Sequence, residues 1–158
     1  MDNETSKSPC FLIERLDPSW YDHAIRFLEE VFYQEQHIPK ELIPLKNDLQ
    51  MWWGVKEDDR IVGIVAAWEE ASEWHWGRLA IASSLRGRGV GMQLIIRSLT
   101  EVFESGVDKV IIEARDVTVE IISKLGGTVI GPKTTFYGTV TPMELQCKDF
   151  KLYMDRTK

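Results

Sequence analysis

One stretch constrains the fold of this chain more than any other: "LAIASSLRGRGVGMQLI", Leu79 to Ile95. An apolar run of β character meets a polar break, and a second apolar run follows with helical spacing. Between them Gly87, Gly89 and Gly91 alternate with Arg86, Arg88 and Val90. Glycines so closely spaced let the backbone turn tightly and bring several N–H groups to one point. A helix that opens directly afterwards adds the positive end of its dipole, which favours a phosphate or pyrophosphate. The two arginines can add charge-assisted bonds.

Spacing separates the known phosphate motifs. The nucleoside-triphosphate loop needs Gly-Lys-Ser/Thr, which occurs nowhere, and the dinucleotide fingerprint needs glycine where Met92 stands. An Arg-Gly segment for nucleic acid would be longer and repeated. A tight turn built for backbone reasons alone explains one or two glycines, but not arginines beside a helix start. Net charge is -6, with 25 acidic residues against 19 Lys and Arg, so a broad polyanion-binding face would form against the protein's own field. No nucleic-acid partner is expected.

At 158 residues the chain suits one α/β domain. Residues 1–9 read as a disordered lead-in and 10–158 as the folded domain. "CFLIERL" reads as a strand ending at Asp17-Pro18, with Ser19 as the cap of an amphipathic helix running from Trp20 to about Gln34. "QHIPKELIPLKND", broken by Pro39 and Pro44, reads as a loop or a short helical turn, the segment expected to be mobile over a site. Two strands joined at "KEDDR" and a third, "SEWHWGRLAIA", make a meander. Helical spacing returns at Val90 and stops at Ser105-Gly106. "KVIIEAR" is then a strand, "DVTVEIISKLGG" a short helix, and "TVIGPKTTFYGT" and "PMELQCKDF" two final strands. The predicted order is β-α-β-β-β-α-β-α-β-β, a mixed, mostly antiparallel sheet of about seven strands flanked by helices.

Arg86, Gly89 and Gly91 satisfy R-x-x-G-x-G after a β-run. Here the chain resembles the GNAT (general-control-related N-acetyltransferase) superfamily, whose best-marked motif has this form at the end of the fourth strand and binds the pyrophosphate of acetyl-CoA. The element order from Phe11 to Phe150 is similar to that superfamily's. "VFYQEQHIP", Val31 to Pro39, resembles the V-F-x-x-E-Q-x-I-P segment of a small bacterial subgroup. Acyl-homoserine-lactone synthases and long-chain N-acyl amino acid synthases have related openings. "IISKLGGTVIG", Ile121 to Gly131, resembles the family's F-Y-E-K-L-G-F stretch.

The resemblance implies a single GNAT-like acyl-CoA-binding domain. Leu79, Ala80 and Ile81 would meet the pantetheine arm by backbone bonds, and Arg86, Gly87, Arg88, Gly89, Val90, Gly91 and Met92 would hold the pyrophosphate. Arg115 stands where an Asn or Gln commonly contacts pantetheine. Ile122 stands where a tyrosine often protonates the leaving thiolate, a step isoleucine cannot perform. A free thiol has a pKa of about 8.5, so the thiolate is a fair leaving group without that acid. Tyr33 and Tyr137 are the substitutes to consider.

The expected reaction is transfer of an acyl group, from acetyl-CoA or another acyl-CoA, to a small primary amine. Such an amine is mostly protonated at neutral pH and needs a base. His75 is one candidate: counted back from Arg86, it falls where histone-type members carry a catalytic glutamate, and histidine titrates near neutrality. Glu69 and Glu70 are alternatives, and His37 could line the same opening. The plainer readings are a structural strand histidine and a solvated turn. Of six tryptophans, Trp52, Trp53, Trp68, Trp74 and Trp76 fall on the three meander strands, mostly as core. Two rival functions stay open: a non-catalytic acyl-CoA-binding or sensing module, motivated by Ile122, and an acyltransferase with longer donors. Cys10 and Cys147 read as free thiols in a reducing compartment. No metal site is expected. With neither an apolar signal core nor a run of roughly 20 apolar residues, the expected location is cytoplasmic, with no membrane partner. A homodimer is possible by family habit.

Overall fold

A computed structural model of the chain describes residues 11–39, 45 and 49–157. Strand β1 is Phe11–Leu16 and helix α1 is Tyr21–Gln36. Strands β2 (Gln50–Glu57), β3 (Arg60–Glu70) and β4 (Glu73–Ile81) follow as the expected meander. Helix α2 is Val90–Glu104, β5 is Lys109–Ala114 and α3 is Asp116–Lys124. Two very short strands, β6 (Thr128–Val129) and β7 (Thr134–Thr135), precede β8 (Thr139–Gln146) and helix α4 (Cys147–Arg156).

The sheet runs β1-β2-β3-β4-β5-β8-β6, with β7 on β8. Every pairing is antiparallel except β4 with β5. Alternation along β2 and β3 divides the core in two. Trp53, Val55, Val65 and Ala67 pack with Leu94, Ile95 and Leu99 of α2, and Ile122 and Phe150 join that core from α3 and α4. Trp52, Ile64, Ala66 and Trp68 face the other way, onto Ala24, Leu28 and Phe32 of α1. Period two in the strands against 3.6 in the helices is the pattern this layering needs. Burying each large aliphatic side chain contributes about 1.5–3 kcal/mol.

Two of the buried tryptophans are anchored to α2. Trp76 donates its indole N–H to Ser98 Oγ at 2.9 Å, inside the core on α2. Trp53 donates to Glu101 Oε1 at 2.9 Å, tying β2 to the same helix. Each bond satisfies an indole N–H that burial removes from water.

Several expectations are corrected. "PMELQCKDF" is not one strand: β8 ends at Gln146 and Cys147 opens α4. Phe150, Tyr153 and Met154, spaced as on one helical face, pack against the α2-side core. "TVIGPKTTFYGT" forms only the two-residue β6 and β7, because Gly131-Pro132 and Gly138, at φ 115°, break the ladder. Among the described residues the sheet therefore has eight strands, and a fourth helix follows them. Ser19 does not cap α1; Asp17 accepts from the Ser19 N–H at 2.9 Å and starts a 3-10 turn, Pro18–Trp20, before α1. The lead-in 1–9, Cys10 and most of the expected mobile loop, 40–44 and 46–48, lie outside the described residues. Among those described, Cys147 is a free cysteine and no helix is long and apolar enough to cross a membrane.

Candidate active site

The two central strands do not stay together. β4 and β5 pair in parallel at one position, His75 opposite Ile111. Beyond it β4 changes register against β3: Ala66 faces Gly77, whereas Ile64 faces Ala80. Arg78 and Leu79 thus stand against Val65 alone, a β-bulge, and Arg78 takes φ 59°. A bulge bends its strand and ends local pairing. Residues 77–81 consequently present to β5 a backbone edge without a strand partner. Glycine precedes the bulge for a reason of space, since a Cβ on Gly77 would come within 3.3 Å of the Trp68 ring.

A cavity of about 390 Å³ fills this opening. Gly77, Arg78 and Leu79 form its β4 wall above Trp76, and Ile112 and Glu113 its β5 wall. Arg115 and Thr118 close it at α3, Thr134, Phe136 and Val140 at the β7–β8 hairpin, and Phe32 and Ile38 at the end of α1. Burial lowers the pKa of the Arg78 guanidinium, with Glu70 opposing that shift. Burial also lowers that of Arg115, whose Nη1 donates to the carbonyls of Phe136 at 2.7 Å and Tyr137 at 3.2 Å.

The glycine loop lies where β4 gives way to α2. Gly87 and Gly89 have φ 82° and 80°, and a Cβ on either would meet nothing within 4 Å. Gly89 is the N-cap of α2 and offers no side-chain acceptor, so no side-chain cap bonds the N–H groups of the first turn. Gly91 needs no special backbone; its Cβ would lie 3.6 Å from Ile81. Val90 is buried in the core and Met92 is exposed. Arg86 reaches back to the Ile81 carbonyl at 3.1 Å and forward to Glu35 at 2.7 Å. The Arg88 guanidinium sits 5.6 Å over the Phe11 ring. An unpaired strand edge leading to an uncapped helix start fits a ligand that is extended at one end and anionic at the other.

Residues 14–122 match the acetyltransferase (GNAT) family. The chain belongs to the GNAT acetyltransferase family. Solved structures agree in fold. Escherichia coli ElaA superposes with a TM-score of 0.75 at 19% identity, covering 88% of this chain and 100% of that one. FeeM, an N-acyl amino acid synthase from uncultured soil microbes, gives 0.76 at 16%, covering 92% and 96%. An acyl-CoA N-acyltransferase from Pseudomonas aeruginosa gives 0.71 at 17%, covering 87% and 99%. A comparison with curated protein sequences finds no match.

Within this GNAT domain the candidate bases divide from the cavity. His75 stacks on Trp68 with centroids 5.7 Å apart and planes 10° from parallel, while Glu69 and Glu70 end β3 at the hairpin. None of the three is among the residues lining the cavity. His37, at φ 60°, ends α1 in the left-handed conformation. Tyr33 is exposed on α1, and Tyr137 is exposed at the hairpin tip, edge-on to Phe136. Ile122 is fully buried in the core, under Gly127. Leu79 and Ile81 pack toward the α2-side core and Ala80 toward the α1 side, as alternation beyond the bulge requires. Arg115 is tied to the hairpin tip rather than extended along β4.

Sequence reasoning missed Arg78, Glu113, Thr118 and Phe136. Arg78 alone left a signal, since a lone glycine within a strand marks a bulge or a close approach. Glu113 enters from β5, and its position depends on how two strands distant in sequence diverge. Among the described residues no group of three His, Cys, Asp or Glu could hold a metal ion.

Proposed function

We propose that this GNAT protein transfers an acyl group from acetyl-CoA, or another acyl-CoA, to the nitrogen of a small-molecule amine. The observation that carries the reading is the continuity of the open β4 edge with the uncapped start of α2. The pantetheine amides would bond the backbone of Leu79, Ala80 and Ile81, as a replacement strand bonds a ladder. The pyrophosphate would take the N–H groups of the turn from Gly87 to Met92, with Arg86 and Arg88 supplying positive charge. The open space where Gly87 and Gly89 lack a Cβ leaves room for it.

Acyl-CoA supplies a thioester. The amine nitrogen attacks its carbonyl, the C–N bond forms, the C–S bond breaks, and sulfur leaves with the bonding pair. Backbone N–H groups near Leu79 stabilise charge on the carbonyl oxygen. Before attack the acceptor ammonium must lose a proton. Among the described residues Glu113 is the carboxylate lining the cavity, and we assign it that role; His75, Glu69 and Glu70 are not among the lining residues. On collapse the nitrogen gives its second proton to water and the thiolate takes one from water, since Ile122 is buried and apolar. The same isoleucine favours a second reading, an acyl-CoA sensor without turnover.

A thiol-release assay with acetyl-CoA and longer acyl-CoAs over a panel of amines tests the proposal. Release that depends on both substrates, with Glu113→Gln slower by roughly 100-fold or more, is expected. Tight acyl-CoA binding with no amine-dependent release would favour the sensor.

A further inference from the structure

Resting on the transferase reading, we infer that Arg115 is a positioning residue for the amine: it fixes the β7–β8 hairpin as the cavity wall that selects an acceptor with an apolar or aromatic body. The hairpin is weakly built by itself. β7 meets β8 at two positions, Thr134 opposite Val140 and Thr135 opposite Thr139, and a ladder so short is marginal in water. Its tip is also strained, since Tyr137 takes φ 52°, a left-handed conformation that a bulky L-residue avoids. Such a conformation persists only where the surroundings impose it. The Phe136 N–H donates to the Gly138 carbonyl at 2.9 Å across the tip. Arg115 adds a tie from outside: its Nη1 donates to the Phe136 carbonyl at 2.7 Å and to the Tyr137 carbonyl at 3.2 Å. Gly138 leaves the room, because a Cβ there would lie 3.3 Å from that nitrogen.

The base of the tie is anchored. Arg115 follows Ala114, the buried end of β5 opposite Thr141 of β8, and its carbonyl accepts the Val119 N–H at 2.9 Å as α3 begins. A bond from a charged donor is also stronger than a neutral one. What the tie holds in place is apolar. Phe136 and Val140 line the cavity from the hairpin, and Phe32 and Ile38 line it from the end of α1. Phe136 keeps 45% of its surface exposed, so its ring has area left to cover. An ammonium ion on an apolar skeleton gains by burying that skeleton against these side chains, and a small amine gains less. The backbone of the tip sets where the Phe136 ring stands, and Arg115 holds that backbone. Arg115 thus serves the acceptor, although the family resemblance of its position points to pantetheine.

The test compares 2-phenylethylamine and isoamylamine with ethylamine, which carries the same ammonium on a smaller body. With the full chain and saturating acetyl-CoA, kcat/KM for thiol release should favour the larger amines by roughly 10- to 100-fold. Arg115→Ala should cut that preference by roughly 10-fold through KM for the larger amines, with acetyl-CoA affinity unchanged in calorimetry, and Arg115→Lys should restore part of it. Hydrogen exchange across residues 134–138 should quicken by roughly 10-fold in Arg115→Ala. Phe136→Ala, which keeps the backbone carbonyl, should lose the preference too. No preference in the wild type, a preference that survives Arg115→Ala, or weaker acetyl-CoA binding by that variant overturns the inference. If Arg115→Ala fails to fold, Phe136→Ala decides: a preference that survives it overturns the inference. If acetyl-CoA binds and no amine reacts, the transferase reading fails by itself. The same amines are then titrated calorimetrically onto the CoA-bound protein, where equal affinity for 2-phenylethylamine and ethylamine, or unchanged exchange in Arg115→Ala, overturns the inference independently.

Discussion

Two glycines at opposite ends of α2 allow strain to be separated from ligand binding. Gly89 precedes the helix at φ 80° and Gly106 follows it at φ 106°, and a Cβ on either meets no atom within 4 Å. Alanine at either position therefore adds no clash, only the cost of a left-handed L-residue, about 1–2 kcal/mol. For a chain of this size each kcal/mol lowers Tm by roughly 2–4 °C, so both variants should melt about 2–8 °C below wild type. Acetyl-CoA at 100 times its Kd should stabilise the wild type by roughly 2.7 kcal/mol, a rise of about 5–11 °C. The Gly106→Ala protein should keep that rise. In Gly89→Ala the new methyl stands among the N–H groups assigned to the pyrophosphate, and the rise should largely vanish. The assay is thermal denaturation with and without ligand. A full ligand shift in Gly89→Ala, or an equal loss in both variants, would refute the assignment of the loop.

The remaining predictions are simpler. Arg86→Ala should weaken CoA binding by roughly 10- to 100-fold in calorimetry, the scale of a charge-assisted bond. Glu35→Gln, which breaks a half-exposed pair with Arg86, should change stability by less than about 1 kcal/mol in denaturant titration. Ile122→Tyr restores the family's common residue in sequence but not in space. Because Ile122 is fully buried, that change should destabilise by about 1–3 kcal/mol and leave thiol release no faster. Burial tends to raise the Glu101 pKa, but hydrogen bonds from Arg97 and Trp53 and the charges of Arg97 and Arg15 leave it lowered. Its stabilisation is therefore present above the unfolded value of about 4.3 and lost as pH falls through the folded value. Denaturant midpoints below pH 4 should fall less steeply for Glu101→Gln than for wild type.

The loop was legible because its chemistry is local: glycine spacing, flanking arginines and a helix start fall within one short stretch. The element order was legible for the same reason, as periodicity separates strands from helices over most of the chain. Helix α4 was not, because a strand reading carried through "PMELQCKDF" and hid the spacing of Phe150, Tyr153 and Met154. The candidate bases differ in kind. Counting back from Arg86 places His75 by residue number alone, which carries no information about the bulge at Arg78 or about the side chains that line the cavity. His75 came from that count, whereas the carboxylate lining the cavity, Glu113, belongs to a strand whose divergence from β4 is a property of the whole sheet. The V-F-x-x-E-Q-x-I-P resemblance acquires physical content at three positions. Phe32 and Ile38 line the cavity, and Glu35 holds Arg86 of the loop, so this segment joins the two halves of the site.

In the proposed function one acyl-CoA lies along the open β4 edge with its pyrophosphate on the start of α2. Calorimetric titration of the full chain with acetyl-CoA, and separately with acetyl-pantetheine, which lacks the pyrophosphate, tests it most directly. Saturable one-to-one binding of acetyl-CoA is expected, with acetyl-pantetheine weaker by roughly 100-fold or more, as loss of several charge-assisted bonds requires. No heat with acetyl-CoA, or equal affinity for the two ligands, would contradict it.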